Sequence, residues 1–173
     1  MSRSATAQHL RHLTQAAVIA ALYVALTWIS AIFGLSGQGA IQLRISEALC
    51  ILPYFTSAAI PGLTLGCLLA NLVTVAALPD LVFGTLATLL GALGTYFLRR
   101  FRWLAPLPPI AANTLIIPFV IRYAYVGVAD ALWFLFLTVG AGELLSVGLL
   151  GMLLLFALEP HRTRIFGART YRE

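Results

Sequence analysis

Charge is scarce in this chain. Its 173 residues include 11 arginines, no lysine and six acids, so only 10% are charged. An ordinary soluble domain carries ~25%. The balance excludes such a domain and leaves no room for a second folded unit. Cys50 and Cys67 lie in apolar segments and form no Cys-x-x-Cys pair, so they read as small buried hydrophobes. There is no P-loop, no His-Glu-x-x-His, no Gly-x-Ser-x-Gly and no paired aspartates for metal-dependent phosphoryl transfer. Nothing in the chain therefore points to ATP hydrolysis. The arginine series of a voltage sensor is missing too. His9, His12 and His161 show no metal-ligand spacing, and no metal or cofactor is expected.

What remains is apolar. Hydrophobic residues make up 61% of the chain, and the mean hydropathy is +0.95. This composition predicts an all-α polytopic membrane protein, folded as one domain over residues 1–173. Six helices are expected, over about 9–33, 46–58, 61–77, 80–100, 108–123 and 131–158, with polar tails at 1–8 and 159–173. The first hydrophobic run is too long for a cleavable signal and continues as a full span. With the N-terminus in the cytoplasm, Arg3, Arg11, Arg99, Arg100, Arg102, Arg162, Arg164, Arg169 and Arg172 all lie inside. Only Arg44 and Arg122 fall on the outer half. The excess of arginine in cytoplasmic segments thus predicts that both termini are cytoplasmic.

Against this background each polar residue is informative. Gln42-Leu43-Arg44-Ile45-Ser46-Glu47 puts an arginine and a carboxylate three residues apart, before a helix that reaches only ~20 Å against ~30 Å of hydrocarbon. Irregular backbone at that depth must be buried in protein or line a wet cavity, so Arg44 and Glu47 are expected to face one. A salt bridge between them is the competing reading. Ser46 is placed to cap the short helix, and Glu47 to suit its dipole. Glu143 sits in the middle of the last helix, after Gly140 and Gly142. A charge there costs ~2.5–3.5 kcal/mol, so it must face the bundle interior or water, which marks a substrate or ion path.

Asn71 and Asn113 offer donors and an acceptor inside apolar helices, for a ligand or for another helix. Asp80 and Asp130 read as helix caps. Trp28, Trp103 and Trp133 read as interfacial belt residues, with Trp133 also a candidate to stack on a planar ligand. Gly84, Thr88, Gly91 and Thr95 share one side of the fourth helix. Ala17, Ala21 and Ala25 recur every fourth residue beside Ala16 and Ala20, a flat face open either to this chain or to another subunit.

Five motifs in order resemble the QueT family. They are Arg44-Ile45-Ser46-Glu47-Ala48-Leu49, Pro61-Gly62 with Gly66-Cys67 and Ala70-Asn71, Asp80 with Phe83-Gly84-Thr85-Leu86-Ala87-Thr88, Pro108-Pro109 with Asn113, and Val139-Gly140 with Gly142-Glu143. The likeness covers residues 16–158. It implies the substrate-binding S component of an energy-coupling factor (ECF) transporter, in the plasma membrane of a prokaryote and not itself an enzyme. The implied substrate is a queuosine precursor: a 7-deazaguanine base, queuine or queuosine. The implied partners are a transmembrane coupling subunit, docked on Ala17, Ala21 and Ala25, and two ATPase subunits that hydrolyse the ATP. A loop over residues 34–46 would close on the bound base.

The candidate substrate-binding residues are Arg44, Glu47, Asn71, Asn113, Trp133 and Glu143. Two carboxylates would suit the paired N–H groups of a guanine-like edge and an ammonium group, with Tyr54 or Trp133 against the ring. Rival readings keep the fold for another vitamin-like base or cation, make the chain an ion-coupled secondary carrier, or make Glu143 the general base of an intramembrane enzyme. The enzyme reading lacks a nucleophile–base pair. The carrier reading lacks an inverted repeat with matched broken helices.

Overall fold

A computed structural model describes residues 3–35, 43–74, 76–124 and 131–167. The expected cap Asp130, the loop glycines Gly37 and Gly39, and the tail residues Arg169 and Arg172 lie outside the described residues. All regular structure among the described residues is helical. Helix α1 spans Arg3–Ile32, α2 Ile45–Tyr54, α3 Ala59–Val73, α4 Asp80–Phe97, α5 Leu107–Ala124 and α6 Leu132–Phe166. Helices α1, α4, α5 and α6 are long and apolar enough to cross a membrane; α2 and α3 are shorter and equally apolar. Large apolar side chains such as Leu115, Leu137, Leu144 and Leu153 stand more than half exposed. A surface of this kind needs an apolar solvent.

The expected boundaries shift at several ends. Helix α1 begins before residue 9, and α6 runs past residue 158 through a 3₁₀ turn, Glu159–His161. Charged and polar ends carry no hydropathy signal, yet they continue a helix already nucleated. Helix α3 stops at Val73, short of residue 77.

Two expected caps are corrected. The residue flanking α2 is Arg44, and its side chain makes no capping bond. Ser46 is buried inside the helix, and its hydroxyl oxygen accepts a bond from Thr27 at 2.8 Å. Asp80 lies in the first, π-wound turn of α4, with Pro79 before it, and pairs elsewhere. In both cases a distant partner outcompetes the local backbone N–H.

Helix α2 is the centre of the fold. It is wound as a 3₁₀ helix, and every residue from Ser46 to Tyr54 is buried. Helices α1, α3, α4 and α6 surround it. A helix apolar all round is stable only when it is enclosed. Its entry is fixed by α1: the Ile45 amide donates to Ser30 Oγ at 3.0 Å.

Close helix crossings use the glycines. A Cβ on Gly62 would lie 2.8 Å from the Ala16 carbonyl oxygen, and one on Gly66 would lie 2.8 Å from Tyr23 Cβ. Gly91 and Gly94 let α4 lie against Pro109 and Pro108 of α5. The alanine face of α1 therefore divides. Ala16 and Ala20 are buried in the α1–α3 crossing, whereas Ala17, Ala21 and Ala25 are exposed.

Candidate functional site

Four segments bring their polar residues to one small cavity. Arg44 and Glu47 come from the start of α2, Gly84 and Thr88 from α4, Asn113 and Ile117 from α5, and Val139 and Glu143 from α6. The cavity holds about 20 Å³, room for one water molecule. Backbone that departs from the α-helix adjoins it on three of these segments: α2 is 3₁₀, Asp80–Gly84 is π-wound, and so is Leu144–Gly151 directly after Glu143. A π turn inserts a residue and re-aims the side chains beside it, and such turns are frequent at functional sites.

Asn113 is the hub. Its side-chain amide donates to Glu143 Oε1 at 3.0 Å and to Glu47 Oε2 at 3.3 Å. A single amide has two N–H groups, so it can hold two carboxylates together. Glu47 is further supported. Its Oε1 accepts from the Tyr23 hydroxyl of α1, and its Oε2 also accepts from the Cys50 thiol at 3.1 Å. Glu47 thus has three protein donors. Among the described residues Glu143 has one, and its Oε2 is buried without a hydrogen-bond partner. Both side chains are nearly enclosed, at 3% and 9% exposure.

Arg44 does not pair with Glu47. It reaches Asp80 at the start of α4, with Nη2 to Oδ2 at 3.5 Å. Arg44 is extended (φ −105°, ψ 107°), while Glu47 lies in the first turn of α2, so three residues of separation do not put the two side chains on one helical face. The Arg44–Asp80 pair instead ties the entry of α2 to the entry of α4. Gly84 makes room for it: a Cβ there would lie 3.0 Å from Asp80 Oδ1.

Of the six candidate residues, Arg44, Glu47, Asn113 and Glu143 line the cavity. Asn71 does not; its amide donates to the Asp80 carbonyl oxygen at 3.3 Å and steadies the first turn of α4. Trp133 is 67% exposed and packs edge-on against Phe134, as a belt residue would. Tyr54 is buried with its edge against Phe55, outside the cavity lining. Tyr23 and Asp80 are the participants that sequence reasoning missed. Tyr23 gave no signal, because a tyrosine in an apolar helix reads as core. Asp80 was visible as an acid, but its place after Pro79 suggested a cap.

No solved structure matches the chain. The queuosine precursor transporter QueT of Lactococcus lactis subsp. cremoris (strain MG1363) is 36% identical to it over 87 residues, which is 50% of each protein. The chain thus spans about half the length of that curated relative. The model of the QueT transporter family matches residues 13–160, which include every residue that lines the cavity, and the chain belongs to that family.

Proposed function

We propose that this chain is the substrate-binding S component of an ECF-type importer for a queuosine precursor, a 7-deazaguanine base or its queuine or queuosine derivative. The observation that carries the reading is the pair of buried carboxylates, Glu47 and Glu143, held together by Asn113 in one cavity. A guanine-like edge offers adjacent N–H donors, and a carboxylate accepts such a pair well. On binding, those donors would share or replace the bonds that Asn113 makes. Arg44 lies at the cavity to donate to a ring carbonyl.

Pockets for small ligands run to about 300–1,000 Å³, so the lining helices must separate to admit a base. The π-wound turns beside Gly84 and Glu143 are the places where helix geometry is least regular, and they would absorb that change.

In this reading α1 to α6 are the six transmembrane helices of one domain with both termini cytoplasmic, in a prokaryotic plasma membrane. The exposed alanines Ala17, Ala21 and Ala25 dock on a transmembrane coupling subunit. Two partner ATPases supply the energy, and the chain itself catalyses nothing. The exposure of those alanines, beside the buried Ala16 and Ala20, supports that assignment.

Calorimetry on the purified protein with deazaguanine bases tests the substrate, and competition by thiamine and riboflavin tests the class. Glu47→Ala and Glu143→Ala should each abolish measurable binding. Wild-type affinity in both variants would overturn the site. Cellular uptake should stop when the ATPase partners are deleted. Uptake that survives this and collapses with the proton gradient would instead mark a secondary carrier.

A further inference from the structure

The charges around the cavity do not balance. Among the described residues the site holds one cation, Arg44, against three carboxylates: Asp80, Glu47 and Glu143. Asp80 already pairs with Arg44. The remaining lining residues, Gly84, Thr88, Asn113, Ile117 and Val139, carry no charge. Burying an excess of negative charge inside an apolar bundle is costly unless a counter-charge arrives.

The two carboxylates are unequal. Glu47 accepts bonds from Tyr23, Cys50 and Asn113, which spread its charge over three fixed donors. Among the described residues Glu143 accepts only from Asn113, and its second oxygen is buried, unpartnered and on a residue that lines the cavity. Thr114 and Ser146 also bury hydroxyl oxygens without partners, but neither lines the cavity and neither carries charge.

We propose that the site selects a base carrying a primary ammonium group, and that Glu143 Oε2 is the acceptor for that ammonium. The inference rests on the precursor reading above and adds the charge of the ligand and the atom that reads it. Glu47, already engaged, sets the geometry of Asn113. Glu143 is the open half of the pair.

The experiment compares two probes of the same skeleton on the full-length protein in detergent: 7-deazaguanine bearing an aminomethyl group, and the same ring bearing a nitrile. A charge-assisted bond is worth enough to give the cationic probe about 10- to 100-fold tighter binding. Glu143→Gln should remove that preference, because an amide there keeps an oxygen for Asn113 and places an N–H where Oε2 now lies. It should weaken the cationic probe by a larger factor than the nitrile, so that the ratio of the two affinities falls towards one. Circular dichroism checks that the variant stays helical, and the two-probe comparison on wild type does not depend on the variant. Equal binding of the two probes to wild type would overturn this inference alone, since a proton would then neutralise Glu143. Binding of neither probe would overturn this inference, and binding of neither probe and of neither queuine nor queuosine would overturn the precursor reading with it. A full cation preference retained in Glu143→Gln would overturn the choice of atom.

Discussion

At the α1–α3 crossing the helices are regular and touch through Gly62, Gly66, Ala16 and Ala20, with backbone almost against backbone. Around the cavity 3₁₀ and π-wound turns adjoin the regular helix α5, and the side chains of Arg44, Glu47, Asp80, Asn113 and Glu143 join the segments. The first region is held by contact, which is short-ranged and sequence-tolerant only for the smallest residues. The second is held by directional bonds, which a ligand with matching donors can exchange for its own. A binding protein needs both: one surface that does not yield and one that does. Tyr23 belongs to each, since its Cβ abuts Gly66 while its hydroxyl reaches Glu47.

That contrast can be broken most severely at Glu47. Glu47→Ala would strip the shared acceptor from Tyr23, Cys50 and Asn113, and stability should fall by roughly 3–5 kcal/mol. A thermal melt in detergent measures it. Next comes Gly66→Val, whose Cβ would sit 2.8 Å from Tyr23 and 3.0 Å from the Ala20 backbone. Neither neighbour can move aside, so a loss of about 3 kcal/mol is expected, with ligand affinity of the surviving folded fraction little changed.

Tyr23→Phe keeps the crossing and removes one bond to a charged acceptor, for about 2 kcal/mol. Combined with Gly66→Ala, it should show a coupling above ~0.5 kcal/mol in a double-mutant cycle. Strict additivity would mean that the two regions do not communicate through this residue. The smallest effect belongs to the surface. Arg102 and Glu159 are partly exposed and 3.8 Å apart, so Glu159→Gln should change the melt by less than ~0.5 kcal/mol.

Much of the site was legible because charge is so rare here. Arg44, Glu47, Asn113 and Glu143 stood out one by one against apolar neighbours, and the bundle gathers all four. Partner choice was a different matter. The competing reading pairs Arg44 with Glu47, its neighbour in sequence, but its partner is Asp80, 36 residues away. Asn71 carried the same local signal as Asn113, yet it serves the start of α4. A polar residue in an apolar helix advertises that it must be satisfied; it does not say by whom.

Hydropathy, helix content, the scarcity of charge and the small-residue faces were determined by the amino-acid sequence alone, because each is a property of residues taken singly or at fixed helical spacing. The tertiary structure decided which carboxylate is fully bonded and which is open, which alanines are covered, and where the helices depart from regular winding. Those outcomes depend on groups from different helices competing for the same few donors inside a medium with no water to spare. No local pattern encodes the result of that competition.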